Sequence, residues 1–134
     1  TATPRRRPEP RRRNEQVGPV PVEQPAGAFW LLDRRIWQQL GGLDEGFYPA
    51  WFEDVDFCRR LRDAGLRALA FPEYEARHVG GVSLSCLGRD RFLRIYYGNL
   101  IRYWRKHHPG TLVLVWPAVQ LGLGLRLAIE RFRS

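Results

Sequence analysis

The residues best equipped for proton chemistry sit together in Trp51-Phe52-Glu53-Asp54-Val55-Asp56. Here 3 carboxylates follow 2 aromatic rings, in a chain of 134 residues whose formal charge is +8. Such a cluster can accept a proton from a hydroxyl, hold a divalent metal, or satisfy the free N–H groups of a helix start. The apolar spacing of Phe57, Cys58, Leu61 and Ala64 predicts a helix from about Glu53 to Ala64, stopped by Gly65. At about 100° per residue, Asp54 falls about 60° from Phe57, inside the apolar arc, and Asp56 about 100° to the other side.

That placement separates the acids. Asp56 reads as a surface residue beside Asp63, with Arg60 at i+4 for an ion pair of about a few tenths of a kcal/mol. Asp54 is the anomaly, because an inward carboxylate costs free energy unless it is paired or used. It reads either as a helix cap or as a general base at the rim of a pocket walled by Tyr48, Trp51 and Phe52. The helix start stabilises its charged form, which a proton acceptor requires. Asp54 and Asp56 point to different sides, which argues against metal chelation by this cluster. Glu53 lies at the edge of the arc. His78, before Gly80-Gly81, is a second candidate, as a phosphate or metal contact or as a structural histidine. His107 and His108, beside Lys106 at a helix end, read as partners of the helix dipole or of lipid headgroups.

The elements that must position these residues are short. AGAFWLL, residues 26–32, predicts a buried strand. Asp33 caps a helix to Leu40, ended by Gly41-Gly42. LDEGFYPAWF is a turn-rich connection. LRALAF, Leu66 to Phe71, predicts a strand closed by Pro72, and YEARHV, Tyr74 to Val79, a second one. Arg89 to His108 predicts a long helix ended by Pro109-Gly110. Leu112 to Ile129 is 18 residues with Gln120 and Arg126 as its strongly polar members, near the lower limit for crossing a bilayer. Arg105, Lys106, Arg131 and Arg133 flank it. The segment reads as spanning, as lying in the membrane plane, or as a core helix of a larger protein.

Residues 1–22 are rich in Pro and Arg and lack an apolar period, so they read as a linker or mobile loop. No aromatic rings interleave with Arg5–Arg13 to stack bases, which favours a solvated segment over a nucleic-acid arm. Even so, a sequence pI of about 10.5 calls for an anionic partner of some kind. The 2 cysteines, Cys58 and Cys86, have no metal or disulfide spacing and read as reduced thiols. The chain starts at Thr1 and contains 0 methionines, giving the expectation that it is a piece of a longer protein.

Several stretches together carry a family resemblance: Gly27-Ala28 followed by Arg34-Arg35, GGLDE at Gly41 to Glu45, FEDVDFCRRLRDAG at Phe52 to Gly65, RHVGGVS at Arg77 to Ser83, and YYGNLIRYWRKHHPG at Tyr96 to Gly110. In this order they resemble the C-terminal half of the catalytic domain of glycosyltransferase family 2, most nearly the bacterial rhamnosyltransferase-like members that build surface polysaccharides. The resemblance covers about Glu23 to Gly110. It implies an α/β sandwich of the GT-A type. The expected organisation is a linker over 1–22, the acceptor-side part of the transferase domain over 23–110, and a hydrophobic membrane-associated helix over 111–134.

The resemblance also assigns roles. Asp54 would be the general base, with Glu53 supporting the acceptor or the loop, and Trp51, Phe52 and Tyr48 around it. Gly27 and Ala28 would line the donor-sugar side. His78 would contact the diphosphate or its metal. A divalent metal, Mg²⁺ or Mn²⁺, is implied, but the family's DxD metal motif lies upstream of the Gly27-Ala28 element and has no counterpart there in this chain. The implied partners are a nucleotide-sugar, a glycan or lipid-linked acceptor and a membrane surface, with no nucleic acid, at the cytoplasmic face of a bacterial plasma membrane. Two alternatives stand beside this: a basic nucleic-acid- or membrane-binding module without catalysis, and a structural membrane adaptor. Neither gives an inward Asp54 any work.

Overall fold

The computed structural model describes residues 18–78 and 88–133, which form a mixed but mostly helical chain. In order they are β1 (Val20–Val22), α1 (Arg34–Leu40), α2 (Glu53–Asp63), β2 (Ala68–Ala70), α3 (Arg89–His107) and α4 (Leu112–Arg133), with 3₁₀ turns at Glu45–Phe47 and Pro109–Thr111. β1 and β2 form an antiparallel ribbon, Val20 opposite Ala70 and Val22 opposite Ala68. α3 and α4 form a helical hairpin.

Local chemistry fixes the helix ends. The Asp33 carboxylate accepts the Arg35 N–H at 2.7 Å and starts α1, and Gly41 closes it in the left-handed region at φ 75°. α2 stops at Gly65, also at φ 75°, where the Leu66 N–H returns to the Leu61 carbonyl at 3.1 Å. The last turn of α3 carries Arg105, Lys106 and His107 against the negative end of its dipole, and Pro109 prevents its continuation.

The apolar core is small. Phe57 is fully buried between the rings of Trp30 and Trp37, each 5.6 Å away, and Phe47, Cys58, Leu61 and Leu93 are the other buried apolar side chains among the described residues. At its centre lies a polar hub. Asp56 is 0% exposed. Its Oδ2 accepts from Arg60 Nε at 2.8 Å; its Oδ1 accepts from Lys106 Nζ at 2.8 Å and His107 Nε2 at 2.7 Å. A carboxylate only accepts, so the His107 proton is assigned to Nε2. The other Arg60 nitrogens donate to the carbonyls of Leu40 and Gly42, and Lys106 also meets Asp44 at 2.7 Å. One carboxylate therefore joins α2 to the end of α1 and to the last turn of α3. Burial pushes its pKa up, but the hydrogen bonds from Lys106, His107 and Arg60 outweigh that and hold it below the ordinary 3.8.

Several sequence expectations fail here for physical reasons. Asp56 is not a surface acid: its Arg60 pair exists, but α3 supplies two further donors that make burial tolerable. Residues 26–32 are not a buried strand. Gly27-Ala28 forms a turn and Leu31 is 98% exposed, while the half-buried Trp30 ring reaches Phe57. Residues 74–78 are exposed and irregular, because the Tyr74 N–H folds back onto the Phe71 carbonyl at 3.1 Å instead of joining a ladder. The end of the expected linker, residues 20–22, is strand β1. Residues 1–17, with the arginine arm, and 79–87, with most of the RHVGGVS element and Cys86, lie outside the described residues.

Replacing Asp56 by Asn removes the charge that three cationic or polar donors face, and should destabilise the chain by about 3–5 kcal/mol. Because the folded pKa is depressed, this stabilisation is fully present above the unfolded value near 3.8 and is lost as pH falls through the lower folded one. Urea midpoints between pH 6 and pH 2 check both points. The wild type should fall steeply at the acid end. Asp56→Asn should start lower and keep only the shallower acid dependence of Asp44, whose pKa is lowered mainly by its Lys106 hydrogen bond.

Candidate functional site

The approach to α2 is held by backbone carbonyls. Asn99 of α3 is buried, and its amide donates to the carbonyls of Phe47 and Ala50 at 2.7 Å each, with the Trp51 carbonyl at 3.3 Å. Arg102 lies across Gly46 and over the Phe47 ring. This grip explains how Trp51 and Phe52, at φ 69° and 76°, both occupy the left-handed region. Each such residue costs about 1–3 kcal/mol and persists only where its surroundings over-determine it. Their rings anchor on α3: Trp51 stands edge-on to Phe92 at 4.6 Å, and Phe52 packs on Tyr96 at 5.4 Å and Tyr103 at 5.8 Å.

The chain thus enters α2 at a fixed angle, and Glu53 and Asp54 form its first turn. Asp54 is half-buried. Its Oδ2 accepts the Gly27 N–H at 3.0 Å and Gln24 Nε2 at 3.3 Å; its Oδ1 accepts the Val55 N–H at 2.8 Å. A side chain at Gly27 would begin 3.3 Å from Asp54 Cβ, so glycine is what lets the 27–28 turn approach. Glu53 Oε2 is buried and receives no hydrogen bond among the described residues. An acceptor left open in this way beside a fixed carboxylate is unusual in a folded chain.

The structure therefore brings Asp54, Glu53 and Gly27 together. Ala28 shares the turn and is exposed. Trp51 and Phe52 adjoin the site but turn their rings toward α3, and Tyr48 is 85% exposed. His78 is exposed, and no hydrogen bond ties it to another described residue. A cavity of about 210 Å³ lies between the ribbon and α2, lined by Val22, Cys58, Leu61, Arg62, Leu66 and Ala68 among others; Asp54 does not line it. Burial, with the Asp54 charge adding to it, pushes the Cys58 thiol up, which makes it a poor nucleophile.

The described residues do not fit a metal centre. Asp54-Val55-Asp56 has Asp-x-Asp spacing, but both Asp56 oxygens are taken by Arg60, Lys106 and His107. No group of three or more His, Cys, Asp or Glu side chains converges among the described residues. No step of the chemistry below runs through a metal on these residues.

Sequence reasoning missed Asn99, Gln24 and the roles of Lys106 and His107. Asn99 had a signal: an amide amid Tyr96, Tyr97, Leu100 and Ile101 needs partners if it faces inward. Lys106 and His107 read equally well as dipole partners and gave none. Segment Pro109–Glu130 is long and apolar enough to cross a membrane, and an 18-residue window within it has a mean hydropathy of 1.8. No family model, curated protein or solved structure matches the chain.

Asn99→Ala strands carbonyls that α3 now satisfies, and should cost about 1–3 kcal/mol. Hydrogen exchange should show faster opening at residues 44–55 than in the ribbon; uniform acceleration would mean that Asn99 supports the whole fold and not this loop.

Proposed function

We propose that this chain is the acceptor-side portion of an inverting glycosyltransferase of the GT-A type, with Asp54 as the general base. The observation that carries the reading is the setting of Asp54: half-buried, at the start of α2, fixed by the Gly27 N–H at 3.0 Å and Gln24 at 3.3 Å. Asp56, two residues on, is fully buried and paired with Arg60, Lys106 and His107, so a substrate hydroxyl cannot reach it.

In this reading the acceptor hydroxyl hydrogen-bonds to Asp54. Its oxygen attacks the anomeric carbon of a nucleotide-sugar, the bond from that carbon to the diphosphate oxygen breaks on the opposite face, and the hydroxyl proton passes to Asp54. The sugar is transferred with inversion and the nucleoside diphosphate leaves. Glu53, next to Asp54, supports the acceptor or the loop, and the 27–28 turn lies on the donor side. The acceptor is a glycan or a lipid-linked hydroxyl of cell-envelope polysaccharide synthesis, at the cytoplasmic face of a bacterial plasma membrane. The reading requires a nucleotide-binding part and a divalent metal with its ligands, which residues 23–110 do not themselves supply.

The test uses the complete polypeptide carrying this sequence. Asp54→Asn should lower transfer by about 10²-fold or more, the usual cost of losing a general base, with an unchanged melting temperature. Gly27→Ala should also lower it, because its methyl would displace Asp54. The 134-residue chain alone should give no turnover with nucleotide-sugars and lipid acceptors. Full activity in Asp54→Asn would remove the catalytic reading and favour a membrane adaptor.

A further inference from the structure

The hairpin of α3 and α4 determines how the apolar segment can meet a bilayer. α4 lies antiparallel along α3, tied at three levels. Trp104 Nε1 donates to Thr111 Oγ1 at 2.9 Å near the turn, the Arg126 guanidinium sits 5.7 Å over the Tyr97 ring, and Arg89 pairs with Glu130 at 3.3 Å at the far end. Leu112, Val115, Val119, Leu123, Leu127 and Glu130, at helical spacing, are the half-buried face toward α3. The opposite side is apolar and open: Leu114 is 74% exposed, Leu121 77%, Leu125 62% and Phe132 91%. A helix apolar all round requires a nonaqueous cover on each side, and α3 supplies only one.

α3 cannot follow α4 into hydrocarbon. Its other side grips the loop through Asn99 and the hub through Lys106 and His107, and it carries charged residues along its length. An upright α4 would have to strip off α3 or carry those charges into the bilayer. Arg91, Arg94 and Arg105 are exposed along one further face of α3, about 100° around from the positions that meet α4. An apolar helix face flanked by a basic stripe complements an anionic lipid surface.

We infer that α4 is an in-plane membrane helix: it lies in the headgroup–acyl boundary of an anionic leaflet with its outer face in lipid, while α3 rides above it with Arg91, Arg94 and Arg105 on the headgroups. This stands on the hairpin geometry and is independent of the transferase reading.

The test uses the full 134-residue chain and vesicles of phosphatidylcholine with or without half phosphatidylglycerol. Binding should be much stronger to the anionic vesicles. Leu121→Glu should weaken it about tenfold or more. Changing Arg91, Arg94 and Arg105 to Gln should weaken it about fivefold per residue on the anionic vesicles only. For depth, a Cys86→Ser background leaves buried Cys58, and a fluorophore is placed in turn at Leu114→Cys, Leu121→Cys and Phe132→Cys. Quenching by lipids brominated at set depths should find all three equally shallow. In an upright helix the outer two would differ by about 27 Å along the axis, and a stepped profile would overturn the proposal. So would equal binding to neutral vesicles, or no vesicle binding with the chain dimeric by size.

Discussion

A single buried carboxylate organises this small fold. Asp56 has no solvent, so its charge is tolerable only while Arg60, Lys106 and His107 remain in place. Those donors lie on two helices, and Arg60 also reaches the carbonyls at the end of α1. Three helices are thereby held to a common geometry by directional bonds. The buried apolar set, Phe47, Phe57, Cys58, Leu61 and Leu93, is too small to impose that geometry by itself. Hydrophobic burial is non-directional, whereas a carboxylate with three fixed donors admits few arrangements.

The neighbouring acids illustrate a division set by position. Asp56 lies on the side of α2 that meets α3 and is sealed from solvent among charged partners. Asp54, half a turn earlier, meets two backbone N–H groups and an amide, and keeps contact with solvent. The difference of two residues separates a fully buried charge from one that solvent still reaches. The same loop supplies the means: α3 grips it by Asn99, and Trp51 and Phe52 hold the strained entry that aims the first turn of α2.

Much of the helical framework was legible because helix ends are written in single residues. Asp33, Gly41, Gly65 and Pro109 each act through their own backbone or side chain, with no need of distant partners. The strands were less legible. Residues 26–32 have a strand's composition, but the bond from Gly27 to Asp54 turns the chain there, and that contact spans 27 positions. For Asp56 the helix wheel gave the angle and missed the environment, since an apolar arc records one burial face and α3 packs on another. Asp54 stood out on the wheel as the inward acid, yet it is less buried than Asp56; Gln24 and Asn99 needed the third dimension.

The grip of Asn99 has a consequence for how such a loop can change over generations. It holds Phe47, Ala50 and Trp51 by their carbonyl oxygens, groups that every amino acid possesses. The shape of the segment is thus uncoupled from most of its side chains. Tyr48, 85% exposed, can be exchanged without altering the hold that aims Asp54. Such a scaffold lets selection explore new surfaces beside Asp54 while the frame that presents it stays the same.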